Sequence, residues 1–160
     1  MIKNMIVAIA ALGLAVSAAP AMANDFTGAR VELTAGVDDV RNLRDTTDVT
    51  YGLTAGFDVG VTDNVIAGVE ANVDNVFDRA DIGASARLGY VATKNTLVYG
   101  KVGYANYKDA FSRNLDGLRV GAGLEHNISD NTYVGAEYRY TDFERGVGKH
   151  GALVKLGLRF

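Results

Sequence analysis

A chain of 160 residues with 16 Lys and Arg against 19 Asp and Glu carries a formal charge of −3, which leaves no basic footprint for nucleic acid. With no cysteine and only two histidines it offers neither a disulfide nor the ligands of a zinc-type centre, so no cofactor is expected. Its 19 glycines, set among many Val, Thr and Tyr, favour strands over helices.

The N-terminus reads as an export signal. Lys3 supplies a positive start, Ile6 to Val16 an apolar stretch, and Ala21-Met22-Ala23 a small-x-small cleavage pattern, with Ala19-Pro20-Ala21 as a second option. The apolar run is short for a membrane span of about 20 residues. Residues 1–23 are therefore expected to be a cleaved signal, and residues 24–160 a single domain. Pro20, the single proline, leaves with the signal, so no proline interrupts strand pairing beyond it.

From residue 29 onward the chain alternates with a period of two, eight times over. Ala29, Val31, Leu33, Ala35 and Val37 oppose Arg30, Glu32, Thr34, Gly36 and Asp38. Val49 to Val59 sets Tyr51, Leu53, Ala55 and Phe57 against Gly52, Thr54, Gly56 and Asp58. Val65, Val69 and Val73 then oppose Gly68, Glu70, Asn72 and Asp74, and Ile82 to Tyr90 opposes Gly83, Ser85 and Arg87. The fifth segment is less clean: Val98, Val102 and Tyr104 oppose Tyr99, Lys101 and Gly103, while Leu97 blurs the phase. Leu118 to Leu124 faces away from Arg119, Gly121, Gly123 and Glu125. Val134 to Tyr140 faces away from Gly135, Glu137 and Arg139, and Ala152 to Phe160 faces away from Gly151, Lys155, Gly157 and Arg159. Segments of about ten residues match tilted membrane strands.

The connections alternate in length. Thr62-Asp63-Asn64, Thr93-Lys94-Asn95 and Ser129-Asp130-Asn131 share one tight-turn recipe, because Asn tolerates the left-handed conformation and the hydroxyls bond the local backbone. The other four, roughly 39–48, 75–80, 108–116 and 144–149, are longer and polar. Short turns at one end and longer loops at the other predict an all-β, eight-stranded antiparallel up-and-down transmembrane barrel with periplasmic turns. A soluble barrel would bury the apolar set instead. The glycine-rich polar face suits a crowded interior, and aromatics near the segment ends suit interfacial girdles. Tyr51, Tyr104, Tyr138, Tyr140 and Phe143 are assigned to the loop end, and Phe26, Phe57, Tyr90 and Phe160 to the turn end.

The run Ala136-Glu137-Tyr138-Arg139-Tyr140-Thr141-Asp142-Phe143, with Gly121-Ala122-Gly123-Leu124-Glu125 and the Ser-Asp-Asn turn before it, resembles the penultimate hairpin of opacity-like surface proteins. Tyr99 to Tyr104 is similar to their fifth strand. The likeness extends to the OmpA- and OmpX-like barrels often labelled porins, and covers residues 24–160 as architecture. It implies an outer-membrane protein that contacts membrane lipid and lipopolysaccharide and meets periplasmic chaperones during export. It also implies that the last strand, with Val154, Leu156, Leu158 and Phe160, is the signal read by the barrel-assembly machinery. The loops are shorter than in adhesive opacity proteins, and no peptidoglycan-binding domain is expected after Phe160.

The inward charges are the candidate site. At mid-height the alternation places Glu32, Glu70 and Glu137 with Arg87, Lys101 and Lys155, pairing Lys155 with Glu32 and Glu137, and Glu70 with Arg87. Arg30 and Arg159 are expected to face Asp58 and Glu125 toward the turns, and Arg119 and Arg139 to face Asp38 and Asp74 toward the loops. Near-neutral layers are what a narrow lumen demands, since unpaired buried charge is costly. Such a network fills the barrel; the alternative is a narrow, low-conductance pore. An enzyme is not expected. His126 and Ser129 flank a periplasmic turn, the wrong end for lipid A chemistry, and His150 has Ser112 as its one nearby hydroxyl, without a third orienting group. Arg41, Arg44, Arg113 and Arg145 are loop positions suited to lipopolysaccharide phosphates, and Phe77 and Phe111 are loop contact points for an unknown host or surface ligand. A monomer is expected.

Overall fold

Eight antiparallel strands succeed one another around a closed barrel in the computed structural model, which describes residues 25–41, 46–75, 80–108, 114–144 and 147–160. They are β1 (Gly28–Arg41), β2 (Thr46–Gly60), β3 (Val65–Asp74), β4 (Asp81–Thr93), β5 (Thr96–Lys108), β6 (Asn114–Asn127), β7 (Thr132–Phe143) and β8 (Val147–Arg159). The expected export signal, and the loop positions Arg44, Phe77, Phe111, Ser112, Arg113 and Arg145, lie outside the described residues, as does the side chain of Arg41.

The tight turns form where the hydroxyl-x-Asn recipe sits. Thr62 Oγ1 accepts the amide of Val65 at 3.1 Å, Thr93 Oγ1 that of Asn95 at 3.3 Å, and Ser129 Oγ that of Thr132 at 3.2 Å. These bonds hold the reversal while the flanking strands pair. At the other end the strands run further than alternation of apolar residues indicates. β6 begins at Asn114 instead of near Leu118, and β8 at Val147 instead of Gly151. Lys149, expected in a loop, therefore lies on a strand. Backbone pairing continues past the point where the outward face stops being apolar, which the hydropathy pattern cannot report.

Following register partners once around the barrel gives its stagger. Arg30 opposes Gly56, then come Glu70, Ser85, Gly103, Arg119, Thr141 and Lys149. Lys149 opposes Val40, so the path returns ten residues further along β1. With normal strand rise and spacing this stagger tilts the strands by about 40° and sets a backbone radius of about 8 Å. The ten residues of β3 then rise roughly 26 Å, the height of an outer-membrane hydrocarbon band.

The two faces are inverted relative to a soluble barrel. Leu33 is 59% exposed and Leu156 50%, while Arg30 and Glu32 are 1% and 0% exposed. The apolar set is outside and the charged set inside, so the soluble-barrel alternative falls. Tyr51 and Tyr104 project outward toward the loop end, Tyr90 and Phe160 toward the turn end, and Tyr138 from the middle of β7. Phe26 and Phe143, assigned to the girdles from sequence, are instead buried inside. Phe26 packs with Ile66, Leu97 and Tyr99 at the turn end, and Phe143 with Ala105, Leu115 and Val147 at the loop end. Leu97 blurred the alternation of β5 because its apolar side chain belongs to the inward set. Among the described residues an apolar cluster thus lies toward each end of the lumen, and the charges lie between.

Candidate functional site in the charged interior

Inward positions on all eight strands supply the site, and glycines make room for it. A Cβ at Gly157 would stand 2.2 Å from the Tyr133 ring, and one at Gly68 would stand 1.9 Å from Asp58 Oδ1. Long side chains lie across these glycines to reach partners beyond the adjacent strand.

The network nearer the turns is built around a ring of alternating sign. Arg30 Nη2 meets Glu70 at 2.6 Å, and Lys101 Nζ bridges Glu70 and Glu137 at 2.6 Å each. Lys155 Nζ bridges Glu137 at 2.9 Å and Glu32 at 2.8 Å, and Glu32 closes the ring on Arg30. Two tyrosines add hydrogen bonds to the acids: Tyr99 donates to Glu137 at 2.6 Å and Tyr133 to Glu32 at 2.7 Å. Lys155 in turn donates to the Tyr99 oxygen at 2.8 Å. An arm leaves the ring through Arg30 Nε to Asp58 at 2.9 Å. It continues from Asp58 to Arg87 at 2.6 Å, to Glu125 at 2.5 Å and to Arg159 at 2.8 Å. Arg159 packs against Tyr133 and Phe26, 4.6 and 5.3 Å from their ring centres, joining the charges to the apolar cap. The bases Arg30, Arg87, Lys101, Lys155 and Arg159 balance the acids Glu32, Asp58, Glu70, Glu125 and Glu137.

A second closed circuit sits toward the loops. Asp81 receives Arg119 at 2.8 Å and Lys149 at 2.9 Å, and Lys149 reaches Asp38 at 2.6 Å. Asp38 lies 3.7 Å from Arg139, which meets Asp74 at 2.8 Å. Asn72 donates to Asp74 at 2.8 Å and accepts from Arg119 at 3.3 Å, closing the loop. Three acids and three bases again cancel.

All fourteen inward charged residues named from sequence are buried in the interior, and the pairings expected for Lys155 with Glu32 and Glu137, Arg30 with Asp58, Arg159 with Glu125, and Arg139 with Asp38 and Asp74 are made. Two pairings differ. Glu70 binds Arg30 and Lys101 instead of Arg87, and Arg119 binds Asp81 instead of Asp38 or Asp74. Strand tilt is the reason: Arg87 opposes Gly68, two residues nearer the turns than Glu70, and so reaches Asp58 and Glu125. Asp81, Lys149, Tyr99, Tyr133 and Asn72 were not singled out as partners. Each keeps the inward phase of its strand: Asn72 and Tyr99 already stand on the inward face of the alternation, and extending it past the apolar residues finds Asp81, Lys149 and Tyr133.

Val154, Leu156, Leu158 and Phe160 line the outward face of β8. His126 Nδ1 lies 3.0 Å from Thr96 Oγ1 at the turn end, and His150 Nδ1 lies 2.6 Å from the Tyr138 hydroxyl near the loops, with the Tyr140 ring 4.7 Å away. Among the described residues no group of three His, Asp or Glu is set to hold a metal.

Comparison with known proteins gives concordant results. The family described as outer membrane protein beta-barrel domain matches residues 8–160. The 31 kDa outer-membrane immunogenic protein of Brucella melitensis is 28% identical over 79% of this chain and 75% of its own length. Neisserial surface protein A superposes with a TM-score of 0.65 at 16% identity, covering 84% of this chain and 98% of that one. The attachment invasion locus protein of Yersinia pestis superposes with a TM-score of 0.61 at 16% identity, covering 84% and 100%. The two structures establish likeness of fold.

Proposed function

From the premise that the chain belongs to the outer membrane protein beta-barrel domain family and is an outer-membrane barrel, we propose that it is a closed barrel with a structural and surface role and no catalytic one. The observation that carries this reading is the lumen: two neutral charge circuits stacked between two apolar caps. At a backbone radius of about 8 Å, side chains alone fill an eight-stranded interior. The contribution to the envelope is then mechanical, with the loop end presented outside and open to lipopolysaccharide or a host molecule. The outward apolar row of β8, with Val154, Leu156 and Leu158, serves assembly. His150 supports no enzymatic reading: its ring nitrogen is taken by a tyrosine hydroxyl at the outer surface, and a nucleophile needs an aligned base with a third orienting group.

Single-channel conductance of the refolded chain in a planar bilayer tests the proposal, with folding verified by heat-modifiable gel mobility. Silence at ordinary voltages is expected. Discrete openings that change with Glu137 or Lys155 substitution would refute the closed barrel and establish a narrow pore.

A further inference from the structure

On the loop side of the ring, six buried polar atoms make no hydrogen bond with a described residue: Thr34 Oγ1, Thr50 Oγ1, Asp38 Oδ1, Asp74 Oδ1, and Nε and Nη2 of Arg139. Their residues are at most 6% exposed. The register brings all six to one wall of the lumen. Thr34 opposes Gly52, which opposes Asp74, and Thr50 opposes Gly36. Thr34 and Gly36 are successive inward positions of β1, as Thr50 and Gly52 are of β2. The two threonines therefore take one diagonal of a square and the two glycines the other. Beside it Asp38 opposes Gly151, which opposes Arg139. The glycines give up space that these side chains share. Asp74 Oδ1 lies over Gly52, and Asp38 Oδ1 and Arg139 Nε lie over Gly151, 2.6 and 3.0 Å from where its Cβ would stand. Asp38 Oδ1 and Arg139 Nη2 are 3.7 Å apart, too far for a direct hydrogen bond.

We propose that this wall is a water-binding site, in which about two slowly exchanging waters bridge Arg139 to Asp38 and link Thr34 and Thr50 to Asp74. The chemistry of the six atoms selects the occupant. They comprise two carboxylate acceptors, two guanidinium donors and two hydroxyls that do either, so the matching ligand must both donate and accept. The surrounding circuit is already neutral, with Asp38, Asp74 and Asp81 against Arg119, Arg139 and Lys149, so neither a cation nor an anion gains by entering. A buried water makes about three hydrogen bonds, which sets the number at about two for six atoms. Thr34 also stands opposite Lys155 of the ring, so the waters lie between the two circuits. The proposal rests on the closed barrel argued above.

Water-to-methyl cross-relaxation, measured by NMR on the refolded full chain in lipid nanodiscs with Thr and Val methyls labelled, reads the site directly. Peaks of the sign given by long-lived water are expected at Thr34 and Thr50, and none at Val154 on the lipid face. Absence of a peak at both threonines overturns the proposal and leaves the closed barrel standing. Peaks of the opposite sign, given by water exchanging as fast as bulk, overturn both. Thr34→Val and Thr50→Val supply an independent readout. A hydroxyl held by water loses that bond, and each variant should lower the folded-to-unfolded ratio about fivefold in a urea titration. A hydroxyl without water gives the opposite sign, because the methyl relieves a buried unpaired group. An unchanged or raised midpoint in both variants therefore overturns the proposal. So does a midpoint that moves when Na+ is exchanged for K+ or chloride for bromide, which would make the occupant an ion.

Discussion

Glu137→Gln tests whether the interior circuit is a stabilising element of the fold. The Glu137 carboxylate receives Lys101 at 2.6 Å, Lys155 at 2.9 Å and the Tyr99 hydroxyl at 2.6 Å, with its side chain 1% exposed. Glutamine keeps the volume and one acceptor but removes the charge that both lysines share. Breaking a buried pair by deleting one partner costs about 3–5 kcal/mol. Here each lysine keeps a second acid, Glu70 for Lys101 and Glu32 for Lys155, which puts the loss at the lower end, about 3 kcal/mol. That lowers the folded-to-unfolded ratio by about a hundredfold. Urea titration in lipid vesicles, scored as the folded fraction by gel mobility, reads it as a lower midpoint at unchanged slope. A Lys101→Met second substitution should recover part of the loss, because it removes the excess positive charge left in the ring. An unchanged midpoint for Glu137→Gln would mean that the carboxylate is not buried in a closed circuit, and the interior assignment of β7 would fall with it.

Leu156→Lys sets an ammonium on the outward face of β8 opposite Leu33 and Val134, and should lower stability by about 2–4 kcal/mol, seen as failure to refold in vesicles. Gly157→Ala places a methyl group against the Tyr133 ring, forcing Tyr133 off Glu32, and should lower the urea midpoint by about 1–3 kcal/mol. Phe26→Ala empties the turn-end cap and should destabilise by about 3–5 kcal/mol in the same titration. Raising NaCl from about 50 to 500 mM should leave the wild-type midpoint nearly unchanged, because buried pairs are poorly screened; a large fall would indicate a hydrated lumen.

The fold was legible because both of its signals are local. Alternation identifies a strand without knowledge of its neighbours, and Thr62, Thr93 and Ser129 mark the turns through bonds that span only two or three residues. The interior was legible as a set of residues and less so as a set of bonds. Which acid meets which base depends on the ten-residue stagger, a closure property that no single strand encodes. Arg87 and Glu70 look level when strand midpoints are aligned, yet in the tilted barrel Arg87 falls to the level of Asp58. Phe26 and Phe143 were misplaced for a related reason. Hydropathy cannot distinguish an aromatic that caps the lumen from one that rests in a lipid interface, and inward phase is the cue that separates them.

Inverting the barrel changes what specifies its register. In a soluble protein a slip of one residue expels the core into water, and the hydrophobic effect resists it. In lipid the outward face tolerates many exchanges among Val, Leu and Ala, so apolar burial discriminates weakly between registers. The inward charges discriminate strongly. Slipping β8 by one residue would turn Lys155 outward toward hydrocarbon, at about 2–4 kcal/mol near the midplane. It would also withdraw Lys155 from both Glu32 and Glu137, leaving two buried acids short of partners. Each strand from β1 to β8 carries at least one inward charge bound to a residue on another strand, so a slip anywhere incurs both penalties. The tyrosines and glycines sharpen this further, since Tyr133 fits only where Gly157 lies beneath it. On this argument the ion pairs act less as a source of net stability than as the device that selects one closure among near-equivalent ones. Buried pairs replaced by matched apolar residues, such as Met at both Lys101 and Glu137, should therefore retain stability while broadening the folded ensemble, visible as multiple amide resonances for β5 and β7. A single sharp set of resonances in that double variant would show that glycine and aromatic packing alone fix the register.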